Sequence, residues 1–211
     1  QLSFVKKIEY LSDNFLLIGK GTDRDTYAVT SKKVIKVALD EDGIKQNKNE
    51  IYILKNNSFL FPKLYNYSED YSWIELELVK PLNEKSEIYE LTGIEGKDFS
   101  NIMFEWSKNY NKSYKDIVQR EIEFIQEDYD TLNVKSYADG NGVKKYLKQK
   151  IDTWQSYLKN PILEEIERLK KILYIDVWEL GHPFNLGKSS SGKFVLLDLG
   201  KIKNAINKRK C

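Results

Sequence analysis

Cysteine is nearly absent: Cys211 is the only one among 211 residues, so no intrachain disulfide can form and a reducing compartment is expected. Nor does any apolar run approach the roughly 20 residues that a membrane helix needs. The N-terminus lacks the basic-then-apolar order of a secretion signal, and the expectation is a soluble, cytoplasmic protein with no membrane partner. A surplus of one charge is missing too. Lysine and arginine number 34 against 32 acids, for a net charge of +2, and this balance removes the main reason to expect nucleic acid as a partner.

What is present is a change of texture near residue 82. Residues 3 to 12 fit a helix or an extended segment equally. From Phe15 the run FLLIG predicts a buried strand, KGTDRD a turn, TYAVT a second strand and KKVIKVA a third. Short polar turns between strands make an antiparallel meander. Gly19 and Gly21 stand in the first turn, where glycine lets backbone N–H groups close on phosphate oxygens. Arg24, just beyond, either covers phosphate by charge or is a solvated turn residue.

Lys36 lies between apolar neighbours on the third strand, so alternation sets it on the face opposite to them. Gly43 then reads as a breaker before a helix carrying Ile44, Ile51 and Leu54 on one side, with Glu50 beside that face. Glu50 is the candidate partner of Lys36, against the alternative that both lie on wet surfaces. FPKLYNY and YSWIELELV form a hairpin in which Ile74, Leu76 and Leu78 alternate with Trp73, Glu75, Glu77 and Val79.

Beyond Pro81 helical periodicity takes over, over Asp98 to Lys108, Ser113 to Asp128, Val143 to Leu158 and Pro161 to Tyr174. Gly140-Asn141-Gly142 reads as the turn before the third of these, and Asn160-Pro161 as the cap of the fourth. Trp106, Tyr110, Trp154 and Tyr157 read as packing between helices. The stretch GHPFNLGKSSSGKFVLLDLG, Gly181 to Gly200, follows. It predicts a loop carrying Asn185, a polar turn from Lys188 to Lys193, a short buried strand from Phe194 to Leu197, and Asp198. Asn185 and Asp198, at the two ends of a hairpin, suit a hard cation such as magnesium that takes oxygen ligands.

In order, Gly19, Gly21, Tyr27, Val29, Lys36, Glu50, Pro183, Asn185 and Asp198-Leu199-Gly200 resemble the motifs of the protein-kinase fold. The glycine turn followed by Asp-Arg, the Ile-Lys strand, the Asn47 to Glu50 helix and the terminal Leu-Asp-x-Gly are similar to small kinase-like proteins of tailed bacteriophages. The resemblance implies an α+β, two-lobed fold, with an N-lobe over 1–82, made of an antiparallel sheet and one helix, and a mainly helical C-lobe over 83–211. It implies ATP and Mg2+ as cofactors: Gly19, Gly21 and Arg24 over the phosphates, Lys36 on the α and β phosphates, Glu50 orienting Lys36, Glu77 and Val79 as the adenine hinge, and Asn185 and Asp198 on the metal. The phosphoryl acceptor, protein or small molecule, is not legible.

The pattern also departs from that family. Arg24 stands where a third glycine is expected, and Leu180 holds the place of the catalytic-loop aspartate. Glu179 and Asp176 are the nearest acids to replace it, and His182 occupies the place of the loop's lysine, either at the γ-phosphate or as a loop cap. Only Lys201 to Cys211 follow Gly200, too little for a peptide-binding platform, and their lysines read as a solvated tail. These departures set an impaired pseudokinase, kept as a binding, regulatory or virion module, beside the active phosphotransferase. Transfer of AMP on the same fold is a third alternative. The stretch 111–141 reads as an elaboration of unread purpose.

Overall fold

The computed structural model describes residues 4–132, 140–173 and 177–197. Five strands and two helices come first: α1 (Phe4–Asn14), β1 (Leu16–Lys20), β2 (Arg24–Thr30), β3 (Lys33–Ala38), α2 (Glu41–Leu54), β4 (Leu64–Tyr67) and β5 (Trp73–Glu77). The strands form one antiparallel sheet in the order β1-β2-β3-β5-β4. Ile74 and Leu76 of β5 are buried between more accessible neighbours, the alternation that a half-covered sheet requires.

A short strand, β6 (Val79–Pro81), leads to helices α3 (Ser86–Thr92), α4 (Gly96–Lys108), α5 (Tyr114–Thr131), α6 (Gly140–Tyr157) and α7 (Pro161–Leu173). Two 3-10 turns, Glu179–Gly181 and Pro183–Asn185, precede β7 (Leu186–Ser189) and β8 (Phe194–Leu196). β6, β7 and β8 make a second antiparallel sheet, in that order. It is joined to the first part of the chain where the Leu196 N–H donates to the Leu60 carbonyl at 2.8 Å. The mixed α+β class, with an antiparallel sheet at the N-terminal end and helices after it, is the expected one.

Local chemistry accounts for the helix starts. The Asp40 carboxylate accepts from the Gly43 N–H at 2.9 Å, and Glu41 and Asp42 in the first turn of α2 complement its dipole. Ser113 and Asp116 form a reciprocal capping box on α5. The Asn160 side chain accepts from the Ile162 N–H at 2.9 Å and donates to the Thr92 carbonyl at 2.8 Å, which fixes the start of α7 against the end of α3. Phe99, Trp106, Tyr114, Trp154, Tyr157 and Ile166 fill the core between these helices. Tyr110, expected among them, is 42% exposed. No helix of the described residues is long and apolar enough to cross a membrane.

Several elements differ from expectation. From Phe4 on, the segment read as helix or extended chain is helix α1, whose Leu11 packs on Tyr27 and Val37 of the sheet. β1 is not buried. Leu16, Leu17 and Ile18 are 71, 43 and 45% exposed, because β1 is the edge strand. Gly43 does not break α2 but lies within its first turn, and Gly140 to Gly142 belong to α6. A Cβ at position 43 would lie 2.2 Å from the Asp23 carbonyl, so glycine is there for close approach, not for flexibility. Lys188 and Ser189, read as turn, belong to β7.

Candidate functional site

A cleft of about 830 Å³ lies beneath the first sheet, between it and the β6–β7–β8 sheet. Its lining includes Gly19, Gly21, Arg24, Lys36, Glu50, Glu77 and Val79, so the residues singled out along the first 79 positions of the sequence converge on one cavity. At one wall the Lys36 Nζ donates to Glu50 Oε1 at 2.7 Å. Lys36 sits at mid-strand, opposite Thr26 on one side and Ile74 on the other, so its ammonium is placed by both neighbouring strands.

Glu50 is 1% exposed, and both its oxygens are engaged: Oε2 accepts from Arg24 Nη1 at 2.5 Å. Burial by itself would push this carboxyl up. The Lys36 and Arg24 charges, with their hydrogen bonds, outweigh it and hold the group at about 2. Arg24 is therefore not a solvated turn residue. Its side chain is 8% exposed, and it also donates to Asn47 Oδ1 at 3.1 Å, while Asn47 Nδ2 donates to the Tyr71 carbonyl at 2.8 Å. Sequence reasoning missed this use of Arg24. The signal was the Asn47 to Glu50 spacing, which puts an amide and a carboxylate one helical turn apart on one face of α2.

The two glycines differ. A Cβ at Gly21 would lie 2.7 Å from the Arg24 carbonyl, which accepts from the Gly21 N–H at 3.0 Å, so that turn needs glycine. At Gly19 a Cβ would meet only ordinary contacts with Thr26.

The two hinge residues differ as well. The Glu77 N–H is taken by the Lys63 carbonyl at 2.9 Å, and its carboxylate accepts from Ser190 Oγ at 3.1 Å. Val79 is placed otherwise. Leu82 N–H donates to the Leu186 carbonyl, so by antiparallel alternation the Lys80–Lys188 pair is hydrogen-bonded and the Val79–Ser189 and Pro81–Gly187 pairs are not. Pro81, with no N–H, occupies one of the positions that needs none, and the Ser189 N–H turns away to Lys193. The Val79 N–H and C=O accordingly face the open edge of β6.

The later stretch is arranged differently. Asn185 is buried, and its Nδ2 donates to the Glu179 carbonyl at 2.8 Å and to Glu179 Oε2 at 3.3 Å. The His182 ring stands edge-on to Trp178 at 5.3 Å. Glu179, His182 and Asn185 are not among the residues lining the cleft, and Leu180 is 3% exposed and belongs to the core. Asp176 and Asp198 lie outside the described residues. The chain just before Asp198 is held to the loop, with the Leu197 N–H donating to the Asn185 carbonyl at 2.7 Å. No cluster of three or more acidic, histidine or cysteine side chains suited to a metal occurs among the described residues.

No family model matches this chain, and no curated protein matches it. Among solved structures it is similar to the ternary complex of APH(2")-IIa with streptomycin and ATP, at 12% identity and a TM-score of 0.39, over 95% of this chain and 71% of that one. The choline kinase LicA from Streptococcus pneumoniae aligns at 16% identity and a TM-score of 0.36, over 94 and 69% of the two chains. The gentamicin complex of APH(2")-IIa gives 13% identity and a TM-score of 0.36, over 95 and 71%.

Proposed function

We propose that this chain is a phosphotransferase of protein-kinase-like architecture that binds ATP with Mg2+ in the cleft beneath the first sheet, two lobes meeting near Leu82. The observation that carries this is the buried Lys36–Glu50 pair at the cleft wall, an ammonium fixed in place with one face toward a cavity large enough for a nucleotide.

Several groups of the lining, and Asn185 from outside it, have a use under this assignment. Lys36 holds the α and β phosphate oxygens, and Glu50 keeps its ammonium from swinging away. The Gly21 turn lets main-chain N–H groups come close to the phosphates. The outward N–H and C=O of Val79 suit the hydrogen-bonding edge of an adenine ring, and Ile18 and Leu196 offer apolar surface to its faces. With Asn185 Nδ2 committed to Glu179, Oδ1 is the atom it offers a cation, and Asp198 supplies a second oxygen donor. Bound magnesium would offset charge on the phosphate oxygens.

Leu180, packed in the core, cannot accept a proton, and Glu179, adjacent in sequence, is the candidate to replace it among the described residues. Loss of a positioned base costs about 10²- to 10⁴-fold in rate, so turnover is slow and rests on positioning and electrostatics. The acceptor is a protein or small molecule.

Thermal denaturation with Mg-ATP tests the site. At 100 times the dissociation constant, binding to the native state adds about 2.7 kcal/mol. The shift is expected in the wild type and lost in Lys36→Ala and Asp198→Ala. A shift that both variants retain overturns the assignment. Labelled γ-phosphate transfer that disappears in Asp198→Ala establishes turnover, and binding with no transfer leaves a nucleotide-binding module.

A further inference from the structure

The glycine turn and α2 are fastened together at three points. The Arg24 carbonyl closes the Gly21 turn, while its guanidinium reaches Glu50 and Asn47 on α2. One residue earlier, the Asp23 carboxylate accepts from Gln46, also on α2. The Asp23 carbonyl lies where a Cβ on Gly43 would be, so the start of α2 is packed directly on the turn. Asn47 carries the connection onward to the Tyr71 carbonyl at the β4–β5 turn, and that residue is held at a φ of 57°, a conformation that needs support from its surroundings.

We infer that Arg24 is a positioning residue that makes the glycine turn, α2 and the Lys36–Glu50 pair one preassembled unit. The proposal rests on the assignment of the cleft as a nucleotide site, and it adds that the turn covering the phosphates cannot shift without disturbing the glutamate that orients Lys36. Arg24 acts through Glu50 and not by touching phosphate. A guanidinium suits the task because it can meet an amide oxygen and a carboxylate from one fixed plane, which a lysine ammonium does not reproduce. Since Arg24 occupies Oε2, Glu50 binds Lys36 through Oε1 alone, and Lys36 keeps donors for a ligand.

Hydrogen exchange of the intact protein, together with Mg-ATP affinity, tests this in wild type, Arg24→Met, Arg24→Lys and Asn47→Ala. In Arg24→Met, amide protection in α2 and in the 20–24 turn is expected to fall together, by about tenfold or more, while helix α7 keeps its protection. Nucleotide affinity falls in parallel. Arg24→Lys recovers only part of both. Asn47→Ala, which keeps every charge, shows the same linked loss in weaker form and serves if Arg24→Met does not fold. Affinity lost in Arg24→Met with α2 and turn protection unchanged would mean that Arg24 meets phosphate directly, and overturns the proposal. Protection lost in α2 but not in the turn also overturns it. A wild type that binds no Mg-ATP removes the nucleotide assignment, and the exchange data still decide whether the turn and α2 move as one.

Discussion

The cluster around Glu50 and the loop around Asn185 both hold a carboxylate by hydrogen bonds, but they are built in opposite ways. Arg24, Lys36, Asn47 and Glu50 come from two strands and a helix, and they meet at a carboxylate that is 1% exposed, although Lys36 itself also borders the cleft. Asn185 and Glu179 are six residues apart, within two consecutive 3-10 turns, and Glu179 is exposed. The first arrangement exists only if β2, β3 and α2 are packed correctly, so its charges report on the tertiary fold. The second is turn chemistry that forms wherever the loop folds back on itself. Interaction strength should differ accordingly, because a charge removed from water loses far more when its partner is deleted.

The sharpest way to break this contrast is Glu50→Ala. It leaves two cations facing one another with no counter-charge, and breaking a buried pair in this way costs about 3–5 kcal/mol. Urea unfolding should show that loss, whereas Glu179→Ala, at an exposed site, should stay within about 1 kcal/mol. Equal costs would mean that the Glu50 cluster is as solvated as the loop.

Acid titration comes next in size. The Glu50 carboxyl titrates at about 2 in the folded chain against an ordinary value of 4.5, so its contribution is fully present above the ordinary value. It is lost as pH falls from there toward about 2. The gap is worth on the order of 3 kcal/mol. Glu50→Gln should flatten that part of the profile of stability against pH. A profile that keeps its acid limb in Glu50→Gln would assign the loss to other carboxylates.

The same contrast explains what could be read in advance. Lys36 and Glu50 were legible because strand alternation and helical spacing each fix a face, and the order strand, helix, hairpin brings those faces together. Arg24 was not, since whether a cation in a polar turn meets solvent or a helix depends on where the helix lies. The run FLLIG was misread as buried for a similar reason: apolar residues mark a strand but not its place in the sheet, and β1 is at the edge. β6 has three residues ending in proline, too few to show any period. Lys188 and Ser189 look like turn residues and become strand only because β6 is there to pair with them. Gly43 illustrates the point best, because the close approach that demands glycine comes from Asp23, twenty residues earlier.

That close approach gives the third test. Gly43→Ala inserts a methyl group into space held by the Asp23 carbonyl and by Ala38, so α2 must move off the turn. Overpacking of this kind costs about 1–3 kcal/mol, although alanine is the better helix former. A stabilised Gly43→Ala protein would show that the turn and α2 are not in tight contact, and the tertiary side of the comparison would lose its second support.

Asn185→Ala is the smallest expected effect and separates architecture from site. The substitution removes two hydrogen bonds to Glu179, but that residue is exposed and its carbonyl keeps the His182 N–H as a donor at 3.4 Å. The cost to stability should be about 1 kcal/mol, a modest shift in the melting midpoint. If the Asn185 oxygen holds a cation beside Asp198, the same variant should lose the magnesium dependence of nucleotide binding almost completely. A large loss of stability with magnesium dependence intact would reverse the comparison, making the loop a structural brace and leaving the proposed metal site without its asparagine.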